Sequence, residues 1–216
     1  KKKKKFLLDA PREFSIGYKN NYYFSHMYNC LYDCKYCFLQ GMFNSAHYVI
    51  FTNFDDFFRE IKKKSESTNE SCCFFSGYDC DSLALEDYTG FINFFLDKFK
   101  IINNSVLEIR SKSTNIKSLL KFKPTPKIIP AFSLNSNEAI NLLEDKTPKL
   151  SSRISAIKKL QESGWDVGLR FDPFIWINEK KKISLFFNKI FSDLNSKKIH
   201  SITIGKLRMP KGYFKK

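Results

Sequence analysis

Cys30, Cys34 and Cys37 lie close together, spaced by three residues and then by two. One tight loop with that spacing can bring three thiolates onto a compact metal cluster. Proteins hold iron-sulfur clusters with cysteine thiolates at short fixed separations. With three protein ligands rather than four, one iron is left open to a ligand from outside the chain. Two plainer readings compete. Half of a structural zinc site would need a fourth closed ligand, for which the nearest candidates are His26 and His47. Free cysteines are also often simply buried, although a hydrophilic loop bearing Tyr32 and Tyr36 is a poor place to bury three.

A scaffold must carry this loop, and the hydrophobic pattern predicts one. Residues 1–20 read as a basic, irregular lead-in broken by Pro11 and Gly17, and 21–216 as a single domain. The aromatic run over 21–28 predicts a buried strand that ends at the thiol loop. Phe54, Phe57, Phe58 and Ile61 recur at helical spacing, which predicts a helix over 54–64. A strand over 71–75 and a helix over 86–99 follow. Further strands are predicted over 106–109, 127–134, 166–171 and 199–204. Helices are predicted over 115–122, 138–143, 150–163 and 183–194, with Gly164 as a C-terminal cap. Six strands alternating with helices make an α/β protein with a parallel sheet.

The predicted strand exits carry polar and reactive residues. Beyond the three cysteines they deliver the run from Ser76 to Ser82 with Cys80 inside it, then Arg110 and Lys112, Ser133 and Asn135, Arg170 and Asp172, and Lys206 and Arg208. Each alone reads as solvated surface, and gathered around a thiol loop they read as a site. Cys80 stands apart chemically, because its S–H bond is weaker than most C–H bonds and can give a hydrogen atom to a carbon radical. A buried thiol without a role is the plainer alternative, and it suits Cys72 and Cys73 better, since they lie within a strand.

Cys34 to Gln40 reads Cys-Lys-Tyr-Cys-Phe-Leu-Gln. With the spacing from Cys30, it resembles the cluster loop of the spore photoproduct lyase family, in the radical S-adenosylmethionine superfamily. The likeness extends to Cys80-Asp81-Ser82, Arg110-Ser111-Lys112-Ser113, Phe132-Ser133-Leu134-Asn135, the run from Glu144 through Thr147-Pro148 to Arg153, and Phe171-Asp172-Pro173. The resemblance implies a partial (β/α)6 TIM-like barrel of the radical SAM type, with outer helices and with ligands at the carboxyl ends of the strands. It implies a 4Fe-4S cluster on Cys30, Cys34 and Cys37, with S-adenosyl-L-methionine docked at the open iron. Cys80 would be the hydrogen donor that quenches the product radical and Tyr36 a radical-relay tyrosine. Lys112, Ser133 and Ser82 would hold the methionine carboxylate of the cofactor. The implied activity is that of a lyase cleaving a thymine photolesion in DNA through a 5'-deoxyadenosyl radical, served by an electron donor such as flavodoxin or ferredoxin. The family's second tyrosine, just after the third cysteine, is here Phe38. Phenylalanine has no O–H to oxidise, which leaves open how the cofactor is regenerated. Two alternatives remain at this point: a related radical enzyme acting on another nucleic acid or a small molecule, and a non-enzymatic basic module that binds zinc or nucleic acid.

Composition bounds these readings. The 216 residues carry a formal charge of +15, are 43% hydrophobic and include 23 phenylalanines, which excludes a disordered chain. So strong a positive charge favours a polyanionic partner, nucleic acid first, because lysine and arginine contacts to phosphate release counterions. Lysine enrichment from an AT-rich genome would give the same balance without such a partner. Runs such as Lys62 to Lys64 and Lys180 to Lys182 suit solvated helix faces. No apolar run approaches the ~18 residues of a membrane span. Nor does a signal peptide follow Lys1 to Lys5, since Phe6-Leu7-Leu8 stops at Asp9. A cytoplasmic location is therefore expected, where thiols serve metals or chemistry rather than disulfides. Both ends, the opening lysines and the closing Tyr213-Phe214-Lys215-Lys216, are expected to be cut.

Overall fold

The structure, a computed structural model, describes residues 1–11, 13–177 and 181–208. Its centre is a sheet of seven strands in sequence order: β1 (Leu8–Asp9), β2 (Asn20–Tyr23), β3 (Cys72–Ser76), β4 (Ser105–Ser111), β5 (Ile128–Ser133), β6 (Val167–Phe171) and β7 (Ile199–Ile204). From β2 to β7 every neighbouring pair is parallel. The first and last strands do not pair with each other, so the sheet stays open as a partial barrel.

The local reasons are legible. All five residues of β3 and all five of β6 are buried, as strands of a sheet covered on both faces should be. The helices are α1 (Leu39–Met42), α2 (Phe54–Glu66), α3 (Glu86–Thr89), α4 (Phe91–Phe99), α5 (Lys117–Leu120), α6 (Asn137–Leu143), α7 (Leu150–Glu162) and α8 (Lys181–Asp193). Helix α2 turns Phe54, Phe57, Phe58 and Ile61 inward, with Asp55 and Asp56 in its first turn and Lys63 and Lys64 in its last, complementing the dipole. Phe24, Phe57, Phe91 and Phe95 meet under β2 and β3, with ring centroids 4.8–6.0 Å apart. Each fully buried phenylalanine contributes roughly 1.5–3 kcal/mol, so these rings anchor the strands whose exits carry the thiols.

Four expectations are corrected. The lead-in is not wholly irregular, because Leu8 and Asp9 pair antiparallel with Tyr23 and Tyr22 and cover the free edge of β2. The first parallel strand is shorter than 21–28. After Tyr23 the chain bends, and Met27–Tyr28 pairs antiparallel with Val49–Ile50 instead. The helix expected over 86–99 breaks at Gly90, whose φ of +60° suits glycine. The Glu86 carboxylate then accepts the backbone N–H groups of Ile92 (3.0 Å) and Asn93 (3.4 Å) beyond the break. Arg170, expected at the strand exit as a surface cation, is fully buried. It donates to both oxygens of Glu108 at 2.8 and 3.2 Å and to the Ser201 backbone oxygen at 3.0 Å. Of the Lys180–Lys182 run, Lys180 lies outside the described residues, as do Tyr213 to Lys216.

Candidate functional site

The carboxyl ends of the parallel strands open on one cavity of about 830 Å³. Its wall contains Cys30, Tyr36, Cys34 and Cys37 from the loop after β2, Cys80 from the loop after β3, Lys112 from the exit of β4 and Ser133 from the end of β5. Ser82 is not in that wall. Gly77, at φ +77°, turns the chain so tightly that a Cβ there would lie 2.5 Å from Ser82 Oγ and 2.7 Å from the Arg110 oxygen. Ser82 is thereby folded behind the surface, where its hydroxyl lies 2.8 Å from that of Ser76.

The thiol loop is fastened from several sides. Lys35 N donates to the Leu143 oxygen at 2.8 Å and Cys37 N to the Cys34 oxygen at 2.9 Å, and Asp33–Cys34 pairs antiparallel with Glu144–Asp145. Burial, helped by the Asp81 carboxylate, pushes the Cys30 thiol up to about 12, and burial pushes Cys34 up to about 11. A metal must therefore displace protons as it binds. Neither histidine joins the trio. His47 is exposed. His26 is buried, stacked on Phe91 at 4.0 Å with an interplanar angle of 9°, and its Nδ1 lies 3.8 Å from Cys80 Sγ. Burial holds His26 down at about 3, so its imidazole is neutral.

Among the described residues no three His, Cys, Asp or Glu side chains converge on a single ion. A multi-iron cluster takes each thiolate on a separate iron, and three soft donors facing one cavity fit such a group.

Beneath the loop runs a buried polar network. Tyr36 donates its phenol hydrogen to Glu144 Oε1, and Arg153 Nη2 donates to Glu144 Oε2 at 2.5 Å and to Thr147 Oγ1 at 2.8 Å. Burial alone would raise the Glu144 pKa, but Lys112 and Arg153 outweigh it and hold the carboxyl below its ordinary value. For Lys112 burial pulls the other way, and the neighbouring Tyr36, Glu144 and Cys34 outweigh it, so the amine stays protonated. Its ammonium stands 5.6 Å from the centre of the Tyr36 ring.

Aromatic and basic groups form the cavity mouth. The Phe14 ring has the Arg110 guanidinium at 5.1 Å and the Arg208 guanidinium at 5.0 Å, and Arg208 is clamped to Asp172 by bonds of 2.8 and 2.9 Å. Tyr78 stacks on Tyr23 at 4.0 Å and also meets Phe38 at 5.5 Å and Phe14 at 6.0 Å. Phe14 had no distinguishing pattern in the sequence, and Tyr78 lay within the Ser76–Ser82 run without a role of its own. Glu144 and Arg153 lay within a run that resembled the family but carried no assigned role.

The model of the spore photoproduct lyase family matches residues 18–209. The chain belongs to the spore photoproduct lyase family. A relative from Geobacillus sp. (strain Y412MC61), named spore photoproduct lyase, is 26% identical over 146 residues, which are 67% of this chain and 43% of the relative. One of the same name from Clostridium acetobutylicum is 25% identical over 182 residues, 83% of this chain and 54% of the relative. The chain thus spans about half the length of these curated relatives. A solved spore photoproduct lyase variant with bound AdoMet and dinucleoside spore photoproduct superposes with a TM-score of 0.79 at 22% identity, covering 90% of this chain and 58% of that one. That likeness establishes the partial α/β barrel as the fold this family member shares. Among the described residues, no helix is long and apolar enough to cross a membrane.

Proposed function

We propose that this family member is a radical S-adenosylmethionine lyase core that cleaves a thymine photolesion in DNA. The observation that carries this reading is the convergence of Cys30, Cys34, Cys37, Cys80 and Lys112 on one cavity at the strand exits. The relatives' shared name, and the solved variant holding both AdoMet and a dinucleoside photoproduct, support it.

Cys30, Cys34 and Cys37 would hold a 4Fe-4S cluster, and the Lys112 ammonium and Ser133 hydroxyl the carboxylate of S-adenosyl-L-methionine. A desolvated carboxylate needs such a cation and donor. Bound there, the cluster and S-adenosyl-L-methionine would supply one-electron reductive chemistry that generates a 5'-deoxyadenosyl radical. Ser82 would act behind the wall, through Ser76, rather than on the cofactor directly. Cys80 would give its S–H hydrogen atom to the carbon radical left on the substrate, so that a C–H bond forms and the unpaired electron passes to sulfur. Tyr36 would return a hydrogen atom to that sulfur and be left as a tyrosyl radical, which one electron from the redox donor and one proton from solvent would restore, with Glu144 accepting the hydrogen bond of the restored phenol.

A stacked dimer cannot reach the floor of this cavity, so the lesion has to leave the duplex, and a damaged pair is the cheapest to flip. The Phe14, Tyr78 and Tyr23 rings offer faces for stacking and Arg208 a cation for a flanking phosphate. The one-electron donor would be a small redox protein such as flavodoxin or ferredoxin, and a cytoplasmic setting suits the free thiols. Phe38 favours one second reading, the same cofactor chemistry on a different nucleic acid or a small molecule. Anaerobically reconstituted protein should form 5'-deoxyadenosine and convert a lesion dinucleotide into the uncrosslinked thymidine dinucleotide. Cofactor cleavage without that conversion would select the second reading, and neither product would reject both.

A further inference from the structure

Asp81 lies between the two halves of the candidate chemistry and had no role assigned from its sequence. It follows Cys80 directly, is 7% exposed, and spends both carboxylate oxygens on neighbours. Oδ1 accepts the backbone N–H of Leu83 at 3.0 Å and of Ala84 at 2.9 Å, which closes the turn behind Cys80. The same oxygen accepts the Ser111 hydroxyl at 2.7 Å, and Oδ2 accepts the backbone N–H of Lys112 at 2.6 Å. One carboxylate thus ties the loop after β3 to the exit of β4. The backbone adds a second tie, Ser82 N to the Arg110 oxygen at 3.2 Å.

We infer that Asp81 is a positioning residue that sets the Cys80 thiol and the Lys112 ammonium in a fixed relation to each other. This rests on the function proposed above, in which Lys112 places the cofactor and Cys80 quenches the product radical. Both groups sit on strand exits that the ladder of β3 and β4 holds only up to Ser76 and Ile109. Beyond that point, a charged acceptor shared by four donors does the aligning, and hydrogen bonds to an ionised group are among the stronger ones.

The amide of Asp81→Asn separates the two functions. Its oxygen can still serve Leu83, Ala84 and Ser111, but its NH2 group would face the Lys112 N–H, donor against donor. The flipped amide would oppose three donors instead of one. We expect the Lys112 amide hydrogen to exchange at least about tenfold faster, while Leu83 and Ala84 stay protected, since a lost bond to a charged group is worth about that factor or more. In cluster-loaded protein the KM for S-adenosylmethionine should rise about tenfold or more with kcat changed less than about twofold. More 5'-deoxyadenosine should also form per lesion repaired. A loaded Asp81→Asn protein with unchanged KM, coupling ratio and Lys112 exchange would overturn the inference.

Native-state exchange on the unsubstituted chain decides the matter if the variant does not fold. The Leu83, Ala84 and Lys112 amides should open as one group, and a Lys112 amide exchanging independently would overturn the clamp. If the unsubstituted protein cleaves no cofactor, the proposed function fails while the exchange pattern still reads the clamp.

Discussion

Arg170 and Glu108 form a fully buried, two-point ion pair inside the barrel, with bonds of 2.8 and 3.2 Å. Gly168 makes room for it, since a Cβ there would come within 2.5 Å of Arg170 Nη2. Arg110 adds a second guanidinium at 2.9 Å from the same carboxylate. Removing Arg170 leaves the buried Glu108 with Arg110 as its partner, so Arg170→Met should cost up to about 3–5 kcal/mol in denaturant unfolding. Unchanged stability would contradict this.

The same pair gives a pH dependence with a definite sign. Burial raises the Glu108 pKa, but Arg170 and Arg110 outweigh it and hold the carboxyl below its ordinary value. Its contribution is therefore fully present above the unfolded carboxylate pKa and is lost as pH falls through the depressed folded value. In Glu108→Gln that acid-limb slope should flatten, as unfolding free energy measured against pH would show. An unaltered slope would mean that other carboxylates set it.

Cys80→Ala removes the proposed hydrogen donor without touching the thiol trio. Cofactor cleavage should persist, while the substrate radical is quenched by other species and the yield of intact thymine falls. Product analysis by mass spectrometry checks it. An unchanged product distribution would remove Cys80 from this role.

Arg208, unlike Arg170, lies at the cavity mouth and is available to a phosphate once it shares or leaves Asp172. Arg208→Ala should weaken DNA binding about evenly across sequences and lower the salt slope by about one unit. Titrations at several salt concentrations read this directly, and an unaltered slope would place the phosphate contacts elsewhere.

The architecture was legible because the apolar runs of β3 and β6 and the phenylalanine spacing of α2 are local signals of burial. The break at Gly90 was not, since the rest of 86–99 keeps its helical periodicity and the φ of a single glycine leaves no pattern. The thiol trio could be read from spacing alone and Lys112 and Ser133 from their place at strand exits, whereas the role of those two at a cofactor carboxylate came only from family resemblance. Arg170 misled for a physical reason. A cation at the end of a strand looks like a surface group until its partner, Glu108, is brought beside it from 62 residues away. The roles of Asp81 and Glu144 depend likewise on which loops meet.

Phe38 occupies the cavity wall beside Tyr78, at the position where the family resemblance implies a second tyrosine. Phe38→Tyr should raise the number of lesions repaired per S-adenosylmethionine consumed, by adding an oxidisable O–H next to the Tyr36 loop. The ratio of thymine to 5'-deoxyadenosine measures it. No change would show that this chain regenerates its thiol by another route.

The proposed function requires three thiolates that hold a cluster with one iron left for the cofactor. Anaerobic reconstitution followed by electron paramagnetic resonance of the reduced protein reads this. About four irons per chain are expected, with a signal that shifts when S-adenosylmethionine is added, and loss of both when Cys30, Cys34 and Cys37 are replaced by alanine. A colourless protein that binds zinc at the same cysteines, or a cluster signal indifferent to the cofactor, would contradict it.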